Sequence, residues 1–319
     1  MNKEIILITG ASGQLGTVLT EQLQEKFGLD NVIATDLRSR EQYSGRFEIL
    51  DVTDMDALTA IVLKNNVTQI YHLAAILSAN GEKFPLRTWD INMQTFFNVV
   101  EVSRLYKVDK VFFPSSIAVF GDNIQRENTP QTTNLTPSTV YGMSKVAGEN
   151  WANYYFDRYG LDIRSVRYPG VIGYQSLPGG GTTDYAVDIF HKAVAGENYE
   201  SFLNAGTTLP MIYMEDAIRA TIELMDAPKE AITIRTSYNL AGMSFNPAEL
   251  ALEIKKTYPA FEISYATDFR QAIADSWPMS MDDSDARKDW NWKPKYDITS
   301  LTEDMIKNLK PAIQEIEMV

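Results

Sequence analysis

Short apolar runs ending in small or acidic residues alternate, along the first half of the chain, with longer stretches whose apolar residues recur every three or four positions. The first run, "EIILIT", passes straight into "GASGQLG", after which Leu15, Val18, Leu19 and Leu23 follow at helical spacing up to Gly28. "NVIATD", "RFEILDV", "QIYHLAA", "KVFFPSS" and "DIRSVRYPG" repeat the strand pattern, and "INMQTFFNVVEVSRLY" is one of the helical stretches between them. Strands alternating with helices in this way predict an α/β protein with a doubly wound parallel sheet, whose ligands bind at the carboxyl ends of its strands. The sheet domain is expected over residues 1–170, with a return around 213–241 through "SYNLAG". Residues 171–212 and 242–319 are expected to form a smaller C-terminal lobe of helices and short strands that binds substrate.

The turn after the first strand places Gly10, Gly13 and Gly16 in a G-x-x-G-x-x-G spacing between a strand and a helix. In that context Gly10 permits the tight turn, Gly13 lets a pyrophosphate approach the backbone, and Gly16 lets helix and strand pack closely. Phosphates are expected on the free amides of the helix N-terminus, around Ser12, Gln14 and Leu15. Asp36 ends the second strand, twenty residues after Gly16. A carboxylate there accepts hydrogen bonds from an adenosine ribose and repels a 2′-phosphate, which favours NAD over NADP. Arg38 nearby works against that preference, and a turn-starting aspartate is the alternative reading. Asp51, at the end of the third strand, is placed to meet the adenine, and Ala74 and Ala75 let a cofactor lie against the backbone. The pattern is that of a Rossmann sheet.

Bulk composition narrows the partners. With 42 acidic and 29 basic side chains the formal charge is −13, which argues against nucleic acid or an anionic membrane surface. No cysteine is present, so disulfides, thiol nucleophiles and cysteine–zinc sites are excluded. The two histidines, His72 and His191, lie in no metal-ligand spacing and are expected to be structural, so no metal is expected. No run approaches the ~18 apolar residues that span a bilayer. "MNKEIILITG" leads directly into a strand, and the expectation is a cytoplasmic protein.

In "VYGMSKVAGEN" Tyr141 stands one helical turn before Lys145, on the same face. Ser138 or Thr136 is placed to cap this helix, Pro137 suits its first turn, and Gly160 ends it. One reading is a surface helix with an ordinary aromatic contact. The other is a general base: an ammonium beside a phenol favours the phenolate, whose ordinary pKa of ~10 must fall for work near neutrality.

"GASGQLG", "SSIAVFG" and "YGMSK" together resemble the extended short-chain dehydrogenase/reductase superfamily. "RYPGVIG", "PGGGTTDYAV", "LPMIYMEDAIRA" and "SWPMSMDDSDARKDWNW" resemble the NAD-dependent L-threonine 3-dehydrogenases within it, and the likeness runs from Ile5 to about Tyr296. It implies oxidation of L-threonine to 2-amino-3-oxobutanoate with NAD, Tyr141 as base, Lys145 as the group that lowers its pKa and holds the ribose, and Ser116 as the hydroxyl partner. Ser115 is the neighbouring alternative to Ser116. Further cofactor contacts are implied at Leu37, Val52, Leu73, Asn92 and Tyr168. For the substrate it implies Ser78, with Trp277 closing the pocket.

The loop "LPGGGTTDYAV" reads either as a connector capped by Thr183 or Asp184, or as a site for a small zwitterion. In the second case Thr182 and Thr183 donate to a carboxylate, and Asp184 accepts from an ammonium. A homodimer follows by analogy, through the helix around 95–106 and the helix after Tyr141. Two other readings stay open: a nucleotide-sugar epimerase or dehydratase on the same fold, and a dinucleotide-binding protein without catalysis.

Overall fold

In the computed structural model, which describes residues 4–38, 43–175 and 177–317, every residue of the first strand, β1 (Ile6–Thr9), is buried. A strand covered on both faces is what the centre of a parallel sheet requires. β1 pairs in parallel with β2 (Val32–Asp36) on one side and β4 (Gln69–His72) on the other. β3 (Arg46–Ile49) lies beyond β2, and β5 (Lys110–Phe112) and β7 (Asp162–Arg164) lie beyond β4. The result is one six-stranded parallel sheet in the order β3-β2-β1-β4-β5-β7, the doubly wound sheet the sequence predicts. Helices α1 (Gln14–Phe27), α2 (Met55–Asn65), α3 (Ser78–Gly81), α4 (Pro85–Leu105) and α5 (Val140–Tyr159) belong to the same part of the chain. The winding direction reverses between β1 and β4, and the glycine turn sits at that switch point. Leu7, Ile33, Ile70, Val111 and Ile163 carry one face of the sheet into a core shared with Phe96, Val99 and Val100 of α4.

The run "DIRSVRYPG" reads as one strand but folds as three. β7 joins the main sheet, β8 (Val166–Tyr168) pairs with β6 (Ser115–Ser116) and β12 (Tyr238–Asn239), and β9 (Gly170–Ile172) takes different partners again. Ser165 marks the first break: its carbonyl accepts from Tyr238 N at 3.0 Å and its hydroxyl meets that of Ser237 at 2.9 Å. Pro169, which has no N–H to give a ladder, marks the second.

The chain divides into two compact units. The first comprises Met1–Val119, Thr139–Arg167 and Ile218–Tyr238. Its late segment is held by buried charge. Arg164 donates to the carbonyls of Leu224, Met225 and Ala227 at 2.6, 3.2 and 2.7 Å, capping the C-terminal end of α7 (Met214–Asp226). Asp162 takes ion pairs from Arg164 at 2.8 Å and from Arg235 at 2.7 Å.

The second unit comprises Phe120–Ser138, Tyr168–Ala217 and Asn239–Val319. β9 pairs in parallel with β11 (Leu209–Tyr213), and β11 pairs antiparallel with β13 (Met243–Phe245). β10 (Tyr199–Ser201) pairs with β14 (Ile263–Tyr265). Around these strands stand α6 (Tyr185–Val194), α8 (Pro247–Lys255), α9 (Arg270–Asp275), α10 (Ser284–Trp290) and α11 (Ile298–Glu317). α8 opens on a capping box in which Asn246 and Glu249 exchange hydrogen bonds.

At the start of α7, Gln175 Nε2 donates to Glu215 Oε1 at 3.3 Å, while Gln175 Oε1 and Glu215 Oε2 are both enclosed without a donor. Burial, and secondarily the charge of Asp304, raises the Glu215 carboxyl above its ordinary 4.5, against an opposing bond from its own backbone N–H. A raised native pKa favours the protonated form. The associated stability is therefore complete below the unfolded value and lost as pH rises through the folded one. Glu215→Gln supplies an uncharged donor facing Gln175 and is expected to raise the thermal midpoint by a few degrees at neutral pH. Calorimetry should show that gain shrinking toward pH ~4, where the native glutamate carries its own proton.

Candidate active site

The glycine turn is built by close approach. Gly10 has φ +73°, and a Cβ there would lie 2.7 Å from Ala74 N. A Cβ on Gly16 would lie 2.2 Å from Gly10 O. Gly13 is the N-cap of α1, with no side chain capping it and no acidic residue in the first turn. The helix therefore presents free amide donors at its positive end, the arrangement that takes an anion. Asp36 closes the turn: Oδ2 accepts from Ser12 N at 3.0 Å and Oδ1 from Leu37 N at 2.8 Å. Asp51 Oδ1 accepts from the amide and hydroxyl of Thr53, and Val52 beside it is buried. Gln14, Leu15, Leu73, Ala74 and Ala75 are partly exposed and Leu37 is exposed. Asn92 is different, being buried with its amide engaged by the backbone N and O of Ile76 and by Ser144 Oγ. It fixes the segment after β4 against α5. Ser78 begins α3, where its carbonyl accepts from Glu82 N.

α5 carries the tyrosine and the lysine. Its N-cap is Thr139, whose hydroxyl accepts from Gly142 N at 3.1 Å, rather than Ser138 or Thr136. Thr139 alone combines extended backbone with a side chain one step before the first helical residue, and Pro137 lies outside the helix. Gly160 closes the helix in the left-handed region. Ser116 favours the ionised form of Tyr141, but burial dominates and pushes the phenol up to about 12. Burial brings Lys145 down to about 7 against the opposing charge of Glu149. The ammonium lies 4.5 Å from the Phe113 ring centroid and 5.4 Å from that of Tyr141. Gly148 makes room for Phe113, since a Cβ would stand 2.5 Å from its ring. His72, buried and bonded to Thr9 Oγ1 at 2.8 Å, is lowered to about 3 by burial and then by Lys145. It is neutral at physiological pH.

The two serines of β6 point to different partners. Ser116 meets Tyr141, whereas Ser115 donates to Glu149 Oε1 at 2.6 Å. Arg167 of β8 grips the same carboxylate through Nε at 3.0 Å and Nη2 at 2.8 Å. Ser115, Glu149 and Arg167 are all buried. Sequence reasoning passed over Glu149, Arg167, Phe113 and Gly148. The available signal was an acid at i+8 from Tyr141, on the face that already carries Lys145.

In the second unit Thr182 is buried and Thr183 sits against Gly170, where a Cβ would come 2.7 Å from the threonine Cβ. Asp184 starts α6 without capping it; its Oδ2 instead accepts from Gly181 N at 2.8 Å and tightens the glycine loop. Tyr168 is buried. Trp277 is buried with its indole N–H unpartnered, and its carbonyl accepts from Arg126 Nε at 2.9 Å. Among the described residues, no group of three or more His, Asp or Glu side chains is placed to hold a metal ion, and no helix is long and apolar enough to cross a membrane.

An uncharacterized epimerase/dehydratase of Staphylococcus haemolyticus is 48% identical over 98% of this chain and 99% of its own. A GalE-like L-threonine dehydrogenase from Cupriavidus necator, in its holo form, superposes with a TM-score of 0.95 at 51% identity, covering 96% of this chain and 100% of the other. A monomeric L-threonine 3-dehydrogenase from a metagenome database, in its apo form, gives 0.94 at 49%, covering 97% and 99%. Residues 6–241 match a family described as NAD dependent epimerase/dehydratase, and the chain belongs to that family.

Proposed function

We propose that this protein is an L-threonine 3-dehydrogenase that oxidises the side-chain alcohol of L-threonine to L-2-amino-3-oxobutanoate. Bound NAD supplies the hydride acceptor. The observation that carries the reading is the buried Tyr141 with Lys145 one turn away and Ser116 acting on its phenol, in a chain about half identical to dehydrogenases of that name. The turn fits a dinucleotide: Gly10 and Gly16 leave no space for a side chain, and the uncapped α1 offers its amides. In this reading Tyr141, as phenolate, takes the proton of the substrate hydroxyl, Ser116 donates to the same oxygen, and Lys145 offsets the phenolate charge. Asp36 takes the ribose. Thr182 and Thr183 serve the substrate carboxylate, Asp184 its ammonium, and Ser78 and Trp277 shape the pocket.

The rival reading, a nucleotide-sugar epimerase, needs cations for a second diphosphate. Between Gly170 and Trp290 the arginines are Arg219, Arg235, Arg270 and Arg287. Each is already paired, with Glu223, Asp162, Asp268 and Asp283 respectively. Purified protein is expected to form NADH with L-threonine, more slowly with serine or allo-threonine, and to leave UDP-sugars unchanged. Turnover of a UDP-sugar without NADH release would replace this reading with the epimerase. NAD binding without any turnover would replace it with the non-catalytic one.

A cytoplasmic homodimer is part of the proposal. Trp89 of α4 and Trp151 and Tyr154 of α5 are exposed aromatic residues on the two helices expected to pair. A monomer in solution, the state named for one of the similar structures, would remove that element alone.

A further inference from the structure

Among the described residues the buried Lys145 amine makes no ion pair, and burial draws it toward the neutral form, which raises the question of what favours its charge. Around it are Tyr141 and Glu149 from its own helix, His72 from the end of β4 and the Phe113 ring. His72 is neutral, so Glu149 is the facing group whose charge favours the ammonium. Glu149 is itself fixed from two sides, by the Arg167 fork and by the Ser115 hydroxyl. Ser115 is covalently next to Ser116, the residue that favours the Tyr141 phenolate. One carboxylate therefore lies one turn beyond Lys145 on the same helix and accepts a hydrogen bond from the serine next to Ser116.

We infer that Glu149, held by Arg167, is a positioning residue that biases the shared proton of the Tyr141–Lys145 pair toward the amine, raising the share of phenolate, and anchors β6 through Ser115. The inference rests on the reading of Tyr141 as the base. A tightly interacting pair loses its first proton as a unit. The singly deprotonated pair is then either phenolate–ammonium, which is active, or phenol–amine, which is not. Glu149 stabilises the ammonium equally in the fully protonated pair and in the active form. It discriminates only against phenol–amine.

This has a signature that loss of packing does not share. In Glu149→Gln the rates on the acid limb of the kcat profile should coincide with wild type. The plateau should fall, by about tenfold, and the limb midpoint should move down by the matching unit of pH. A uniform drop at every pH, with an unmoved midpoint, would reduce Glu149 to scaffolding. A second measurement needs no substrate: NMR titration of Lys145 in protein carrying isotope-labelled lysine, the signal assigned with Lys145→Arg. Its midpoint should fall by about one unit in Glu149→Gln; an unmoved or raised midpoint overturns the inference. Failure of wild type to oxidise L-threonine would instead sink the activity proposed above and leave this titration decisive. If the orphaned guanidinium keeps Glu149→Gln from folding, Glu149→Gln/Arg167→Gln removes it, and a smaller shift of the same sign is required.

Discussion

Tyr141→Phe is expected to lower kcat for L-threonine oxidation by about 10²–10⁴-fold, the range for removal of a positioned general base, while leaving NAD affinity within a few-fold of wild type. The substitution deletes one oxygen. The glycine turn, Asp36 and the α1 amides are untouched, and the ring remains beside Lys145. Burial holds the phenol at about 12 against the influence of Ser116, so the wild-type rate should climb with pH along the acid limb of its profile wherever chemistry limits turnover. The phenylalanine variant should lose that climb along with its activity. Stopped-flow measurement of NADH formation, with equilibrium titration of NAD by protein fluorescence, checks both halves. Retained turnover in Tyr141→Phe would take the base away from this residue.

Gly16→Ala should be the most damaging single methyl in the nucleotide turn. The new carbon would lie 2.2 Å from Gly10 O, 2.8 Å from Ala11 Cα and 2.9 Å from Ala11 C. All three are backbone atoms of the turn itself, so no side chain can swing aside. A cost of about 1–3 kcal/mol is expected from forced overpacking, together with at least a tenfold weakening of NAD binding as the turn is displaced. Gly13→Ala is the control, because its nearest contact is Gly10 O at 3.3 Å and both effects should be smaller. Thermal unfolding with and without NAD separates the terms, since ligand stabilisation shrinks with affinity. A Gly16→Ala protein as stable as wild type, and stabilised equally by NAD, would show that the turn relaxes freely.

What could be read from sequence was whatever local periodicity or local spacing encodes. The apolar runs gave the parallel sheet, the glycine spacing its turn, and the i, i+4 register put Tyr141 and Lys145 on one face. Features made by distant segments were invisible. Glu149 reads as a surface acid until Arg167 is placed beside it by β8. "DIRSVRYPG" looks uniform because its breaks depend on Ser165 and Ser237 meeting across 72 residues. The choice of Thr139 over Ser138 or Thr136 as cap turns on backbone angles that a run of neighbouring hydroxyl residues does not reveal. Residues 120–138 carry no strong period, so nothing local assigns them to the second unit.

The Asp162–Arg164–Arg235 cluster has a consequence for biosynthesis. Arg235 is translated 73 residues after the aspartate it neutralises, and the three carbonyls that receive Arg164 are made 60 to 63 residues after it. A ribosome-bound chain that has emerged only through β7 thus holds Asp162 and Arg164 paired with each other but lacking Arg235 and the α7 carbonyls. Completion of the first unit, which includes Ile218–Tyr238, waits for codons beyond the whole intervening segment.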